Sequence, residues 1–130
     1  MQVRWQDNMV LGHPVMDAEH RQVIELLNSL GAAVESRRLD AARIAVEEFS
    51  TYTLRHFAHE ERLALTVPHH DSRRHLATHG IVGQMIAGLK AALGDDDGLT
   101  KAGVLLEILA TELIVQIYQE DAELARELID

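Results

Sequence analysis

Apolar positions along this chain recur at helical spacing in four blocks, and the breaks between the blocks are where Gly, Pro, Asp and Ser gather. The pattern predicts an all-α protein. A first helix over about 17–37 puts Val23, Ile24, Leu27 and Leu30 on one face and starts near Asp17. A second, over about 40–65 with Asp40 as N-cap, sets Ile44, Phe49 and Phe57 among charged positions until "TVPHHD" stops it. A third opens at Asp71 or Ser72 and reaches Leu93. Its glycines Gly80, Gly83 and Gly88 each cost up to about 1 kcal/mol against alanine, so packing must compensate or helices must approach closely there. After the acidic turn "GDDDG", a fourth helix over about 100–127, capped by Thr100 or a neighbour, carries Leu105, Leu109, Leu113, Ile117 and Leu124. Residues 1–16 read as a non-helical arm. Four helices with short loops predict an antiparallel up-down-up-down four-helix bundle, a single domain over 1–130.

Charge and composition narrow the chemistry. A formal charge of −9 repels nucleic-acid phosphates and anionic membrane surfaces, so neither is an expected partner. The absence of cysteine excludes disulfides, thiolate nucleophiles and soft metal sites, leaving nitrogen and oxygen ligands. No apolar run resembles a signal peptide or a membrane span, and a cytoplasmic location is the expectation. The eight histidines are in excess for a chain of 130 residues.

Two histidine-containing pairs share a helix face at four-residue spacing, His56 with Glu60 and His75 with His79. In an antiparallel bundle, residues equidistant from a turn stand at the same height. About a turn near residue 38, His20 lies 18 positions before and His56 18 after. About residue 69, Glu60 lies nine before and His79 ten after; about residue 97, His79 lies 18 before and Gln116 19 after, with Asp121 a further turn along. One layer of the bundle collects them all. His13, His59, His69 and His70 fail this test or fall in the arm and loops, and are expected to be solvated.

Imidazoles and carboxylates without sulfur suit iron, manganese or zinc, and four imidazoles with two carboxylates are too many for one ion. A paired site is implied, in which Glu60 and Asp121 could bridge. Walls of Val23, Phe57, Leu113 and Ile117 would keep water from an open coordination position, and a small neutral molecule such as dioxygen suits it. The competing reading is a metal-free structural bundle.

The ordered pattern resembles that of the hemerythrins, and more closely the bacterial hemerythrins. Trp5, Gly12 and "MDAEH" with Asp17 and His20 resemble the family's opening; "HFAHEE" supplies His56 and Glu60, and "HLATH" supplies His75 and His79. The resemblance implies an oxo- or hydroxo-bridged pair of iron ions that binds dioxygen reversibly. It further implies Glu60 and Asp121 as bridges, His20 and His56 on one iron, and His75 and His79 on the other.

The chain departs from the family in "ELIVQIYQED", where Gln116 stands in place of a histidine ligand. Its carbonyl could bind the second iron, its amide could hydrogen-bond a metal-bound water, or the position could be left to water or a small anion. Glu112, one turn earlier, faces out, ligates metal or shares a proton, because an unpartnered buried ionised carboxylate costs several kcal/mol. A straight helix would turn Asp121 about 140° from Gln116 and favour Glu120 instead; a local widening of the helix could restore Asp121. Three functions follow: a dioxygen carrier or store, a di-iron oxidase or peroxidase exploiting the less saturated iron, and a sensor whose arm, Met1 to Pro14, signals the state of the metal.

Overall fold

Helix α1 spans Pro14–Glu35, α2 Leu39–Ala64, α3 Ser72–Leu93 and α4 Leu99–Gln116 in a computed structural model that describes residues 2–130. The last helix continues through a five-residue π-turn, Ile117–Asp121, into a terminal helix α5, Ala122–Ile129. Sequential helices pack against each other and α4 closes on α1, giving the antiparallel four-helix bundle. Among the described residues there is no strand, and no helix is long and apolar enough to cross a membrane.

Local chemistry places the ends, in several cases not where the pattern predicted. α1 begins three residues before Asp17, because Pro14 is preset for the first helical position and His13 Nδ1 accepts from the Met16 N–H at 3.2 Å. Asp17 instead accepts from the N–H groups of Leu11 and Gly12 at 2.8 and 3.2 Å, fixing the arm where Gly12 turns at φ 88°. α2 starts at Leu39, since Arg37 at φ 55° completes the chain reversal early; Asp40 lies in the first turn and is not the cap. Asp71 caps α3, accepting from the Arg74 N–H at 3.1 Å. Gly98, not Thr100, stands at the N-cap of α4, and a Cβ there would lie 1.7 Å from the Ala92 carbonyl oxygen.

The arm is docked and carries a 3₁₀ turn at Asp7–Met9. Asn28 exchanges two hydrogen bonds with the backbone of Val3, each 2.8 Å, and the Arg21 guanidinium covers the Trp5 ring at 4.3 Å. Met9 packs with Ile24 and Ile117.

Two apolar sections fill the bundle. The larger joins Leu27, Leu30, Phe49, Leu89, Leu93, Leu106 and Leu109; the smaller joins Met16, Ala64, Leu124 and Ala125 at the opposite end. A layer of buried polar side chains lies between them. Ile44 is on the exposed side of α2 rather than in the core. A Cβ at Gly80, Gly83 or Gly88 would meet nothing within 4 Å, so close helix approach does not explain these glycines. Packing of Val82, Ile86, Leu89 and Leu93 offsets their propensity cost. Truncation of fully buried Leu89 to alanine is expected to destabilise the metal-free protein by about 2–5 kcal/mol in denaturant unfolding. A loss below about 1 kcal/mol would mean that this section is not the close-packed core.

Candidate metal centre

His20 from α1, His56 and Glu60 from α2, His75 and His79 from α3 and Asp121 from the π-turn converge in the polar layer, all buried. Glu60 divides its two oxygens: Oε2 lies 3.1 Å from His20 Nε2 and 3.2 Å from His56 Nε2, whereas Oε1 lies 3.1 Å from His79 Nε2 and 3.7 Å from His75 Nε2. Asp121 does the same, with Oδ2 at 3.0 Å from His20 Nε2 and Oδ1 at 2.9 Å from His75 Nε2. The result is two ligand groups that share both carboxylates, His20–His56–Glu60–Asp121 and Glu60–His75–His79–Asp121. Each group has ligand atoms within 4.8 Å of one another, and the donors are those preferred by iron, manganese or zinc.

The π-turn decides between the two acids that end the fourth block. Widening the helix by one residue brings Asp121 into the layer, while Glu120 is directed to Arg74 Nε at 3.3 Å and the Thr78 hydroxyl at 3.4 Å. Gln116, immediately before the π-turn, is 1% exposed, and neither its Oε1 nor its Nε2 has a hydrogen-bond partner. A buried amide with both groups unmatched is costly in a folded protein, so its surroundings suit a polar ligand. Glu112 is only half-buried and belongs to neither ligand group. Val23, Phe57, Leu113 and Ile117 are all buried, and Phe57 stacks on His79 with ring centres 4.0 Å apart and planes 8° from parallel. Beside that stack an open groove of about 430 Å³ is lined by Leu54, Ala58, Leu76 and Gly83.

Outer partners hold three of the rings with Nε2 facing inward. His56 Nδ1 lies 2.8 Å from Glu19, His79 Nδ1 2.9 Å from Glu61, and His75 Nδ1 2.8 Å from His70 Nε2. His20 Nδ1 is buried without a partner. These outer residues escaped the sequence reading. Glu19 and Glu61 are direct neighbours of ligand-candidate positions, and Glu19 stands at nearly the height of His56, which is the signal that could have found it. His59 is half-buried against Glu19 rather than solvated, and His13 is the α1 cap. His70 is buried, because the turn before Asp71 folds it back over His75 and toward Glu127. Only His69 is exposed as expected.

Without metal the layer stores protons. Burial opposes charging His20, yet its hydrogen bonds to Asp121 and Glu60 outweigh that and hold it at about 10. Burial likewise opposes charging of His75, and the same two carboxylates lift it to about 10. For His56, burial is outweighed by the charge of Glu60 and the bond to Glu19, giving about 9. Burial pushes Glu60 up, but His56 and His20 hold it well below the usual carboxylate range.

Residues 11–128 match the model of the hemerythrin HHE cation binding domain. The chain is 31% identical over 103 residues to a bacteriohemerythrin of Pseudomonas aeruginosa (strain LESB58), covering 78% of this chain and 67% of that protein. A bacteriohemerythrin of Stenotrophomonas maltophilia (strain R551-3) is 42% identical over 59 residues, 45% of this chain and 39% of that protein.

Imidazoles raised from 6.5 to about 9–10 stabilise the metal-free fold fully below pH 6.5, and that contribution is lost as pH rises through 9–10. The thermal midpoint of the metal-free protein is therefore expected to fall between pH 7 and 10, and a flat or rising midpoint would contradict the assignment. Loading with a divalent metal at pH 7 is expected to release protons into weakly buffered solution, because ligation requires these imidazoles to be neutral.

Proposed function

The chain belongs to the hemerythrin family, in its bacteriohemerythrin type, and from that premise we propose that it holds two iron ions and binds dioxygen reversibly. Family membership and the buried His, Glu and Asp groups support an iron-binding protein, and the shared carboxylates are the observation that carries the paired reading. Glu60 and Asp121 would each give one oxygen to each ion, His20 and His56 would complete one site, and His75 and His79 would serve the other. A ferrous pair supplies the electrons that reversible dioxygen binding needs. The protein's own part is to exclude water with Val23, Phe57, Leu113 and Ile117, and to hold the imidazole tautomers through Glu19, Glu61 and His70.

Gln116 gives this centre its distinguishing property. Its unmatched buried amide supports a role beside the His75/His79 iron, through its carbonyl or through a water. Glu112, half-buried and outside the ligand groups, is the weaker partner for that iron. A glutamine donates more weakly than the imidazole it replaces, so that iron is more open to water and small anions. The oxygenated form is then shorter-lived than in an all-histidine site, and a second reading follows from the same amide: oxidase- or peroxidase-like turnover.

Iron analysis coupled to absorption spectra of the anaerobically reduced protein, before and after admission of air, tests the proposal. Two irons per chain and a charge-transfer band that appears in air and is removed under vacuum are expected for reversible binding. A band that appears and decays irreversibly would move the assignment to oxidase-like chemistry, and absence of both iron and band would refute it. Gln116→His is expected to lengthen the life of the oxygenated form; an unchanged lifetime would count against the role given to Gln116.

A further inference from the structure

We infer that His70 is a positioning residue for the iron held by His75 and His79, acting through a directed relay that ends at Glu127 on α5. The inference rests on the paired-iron reading above and adds to it a dependence of one ion, and not the other, on the loop between α2 and α3 and on the C-terminal helix.

The relay is read from three distances. His75 Nε2 faces Asp121 at 2.9 Å, its Nδ1 lies 2.8 Å from His70 Nε2, and His70 Nδ1 lies 3.1 Å from Glu127 Oε2. For His75 to offer the Nε2 lone pair to a metal, its proton must sit on Nδ1. His70 Nε2 must then accept, which puts the proton of His70 on Nδ1, where Glu127 accepts it. Each hydrogen bond thus dictates the next, from the partly exposed carboxylate to the buried ligand.

The other rings are held differently. His56 and His79 reach carboxylates in one step, through Glu19 and Glu61, and His20 has no outer partner. Only His75 is supported by a second imidazole, and the His70 side chain is 1% exposed, so no water can readily replace it. Losing it would strand the His75 Nδ1–H in a buried place and free the ring to take the wrong tautomer.

The same proton order decides the role of a nearby cluster. His70, Glu123 and Glu127 bring ligand atoms within 4.8 Å of one another and could hold an ion. An ion on His70 Nδ1 would displace the proton that Glu127 accepts while Nε2 still accepts from His75, which demands an imidazolate. The cluster therefore works as the end of the relay, not as a third metal site, once the central pair is loaded.

The test compares iron release from the fully loaded full-length protein to a strong ferrous chelator, with circular dichroism to confirm folding. His70→Leu is expected to speed release of one of the two irons about 10–100-fold and leave the other unchanged. His70→Gln restores an acceptor for the His75 Nδ1–H and is expected to recover most of the wild-type rate, which a purely packing role would not allow. Glu127→Ala, at the accessible end, is expected to speed the same iron several-fold and decides the matter if His70→Leu does not fold. Unchanged release in the variants, equal release from His70→Leu and His70→Gln, or acceleration of both irons alike would overturn the relay. Wild-type protein that holds fewer than two irons would overturn the paired-iron reading itself, and the relay with it.

Discussion

Two carboxylates buried in the middle of the bundle, Glu60 and Asp121, set the terms for everything around them. A pair of anions in an apolar interior costs several kcal/mol per charge unless cations and hydrogen bonds surround it. Four imidazoles meet that need. Each carboxylate has one oxygen toward the α1 side and one toward the α3 side, so the charge is compensated in two groups and not in one. Protons on His20, His56 and His75 satisfy the anions in the metal-free chain, and two divalent ions would do so in the loaded one.

The rest of the fold reads as support for that layer. Apolar sections close it above and below, with Val23, Phe57 and Leu113 on one side and Met16, Ala64 and Leu124 on the other. The only break in helical regularity among the described helices falls where the layer requires it. A regular α4 would have carried Glu120 toward the ligands and turned Asp121 away; the π-turn reverses the two, and Arg74 and Thr78 receive the displaced Glu120. The outer carboxylates, Glu19 and Glu61, complete the support by fixing which ring nitrogen faces inward.

Much of this was legible in the sequence because it rests on periodicity. Helical spacing defined four elements and paired His75 with His79 on one face, and counting from the turns set His20, His56, Glu60, His79 and Gln116 at matching heights, with Asp121 a further turn along. Features that depend on local backbone geometry were less accessible. Asp17 and Asp40 look like N-caps by residue type, but Pro14 and the left-handed Arg37 start those helices earlier. His70 sits in a loop by pattern, and only the fold of the "TVPHHD" turn brings it against His75. Gln116 was recognisable as a departure, yet its missing hydrogen-bond partners are a property of packing that no spacing rule contains.

Under the paired reading, Glu60 and Asp121 would each serve two metal ions. Iron-edge anomalous diffraction from crystals of the iron-loaded protein tests it most directly. Two peaks are expected, each beside one oxygen from Glu60 and one from Asp121. A single peak, or two peaks that do not share these carboxylates, would contradict it.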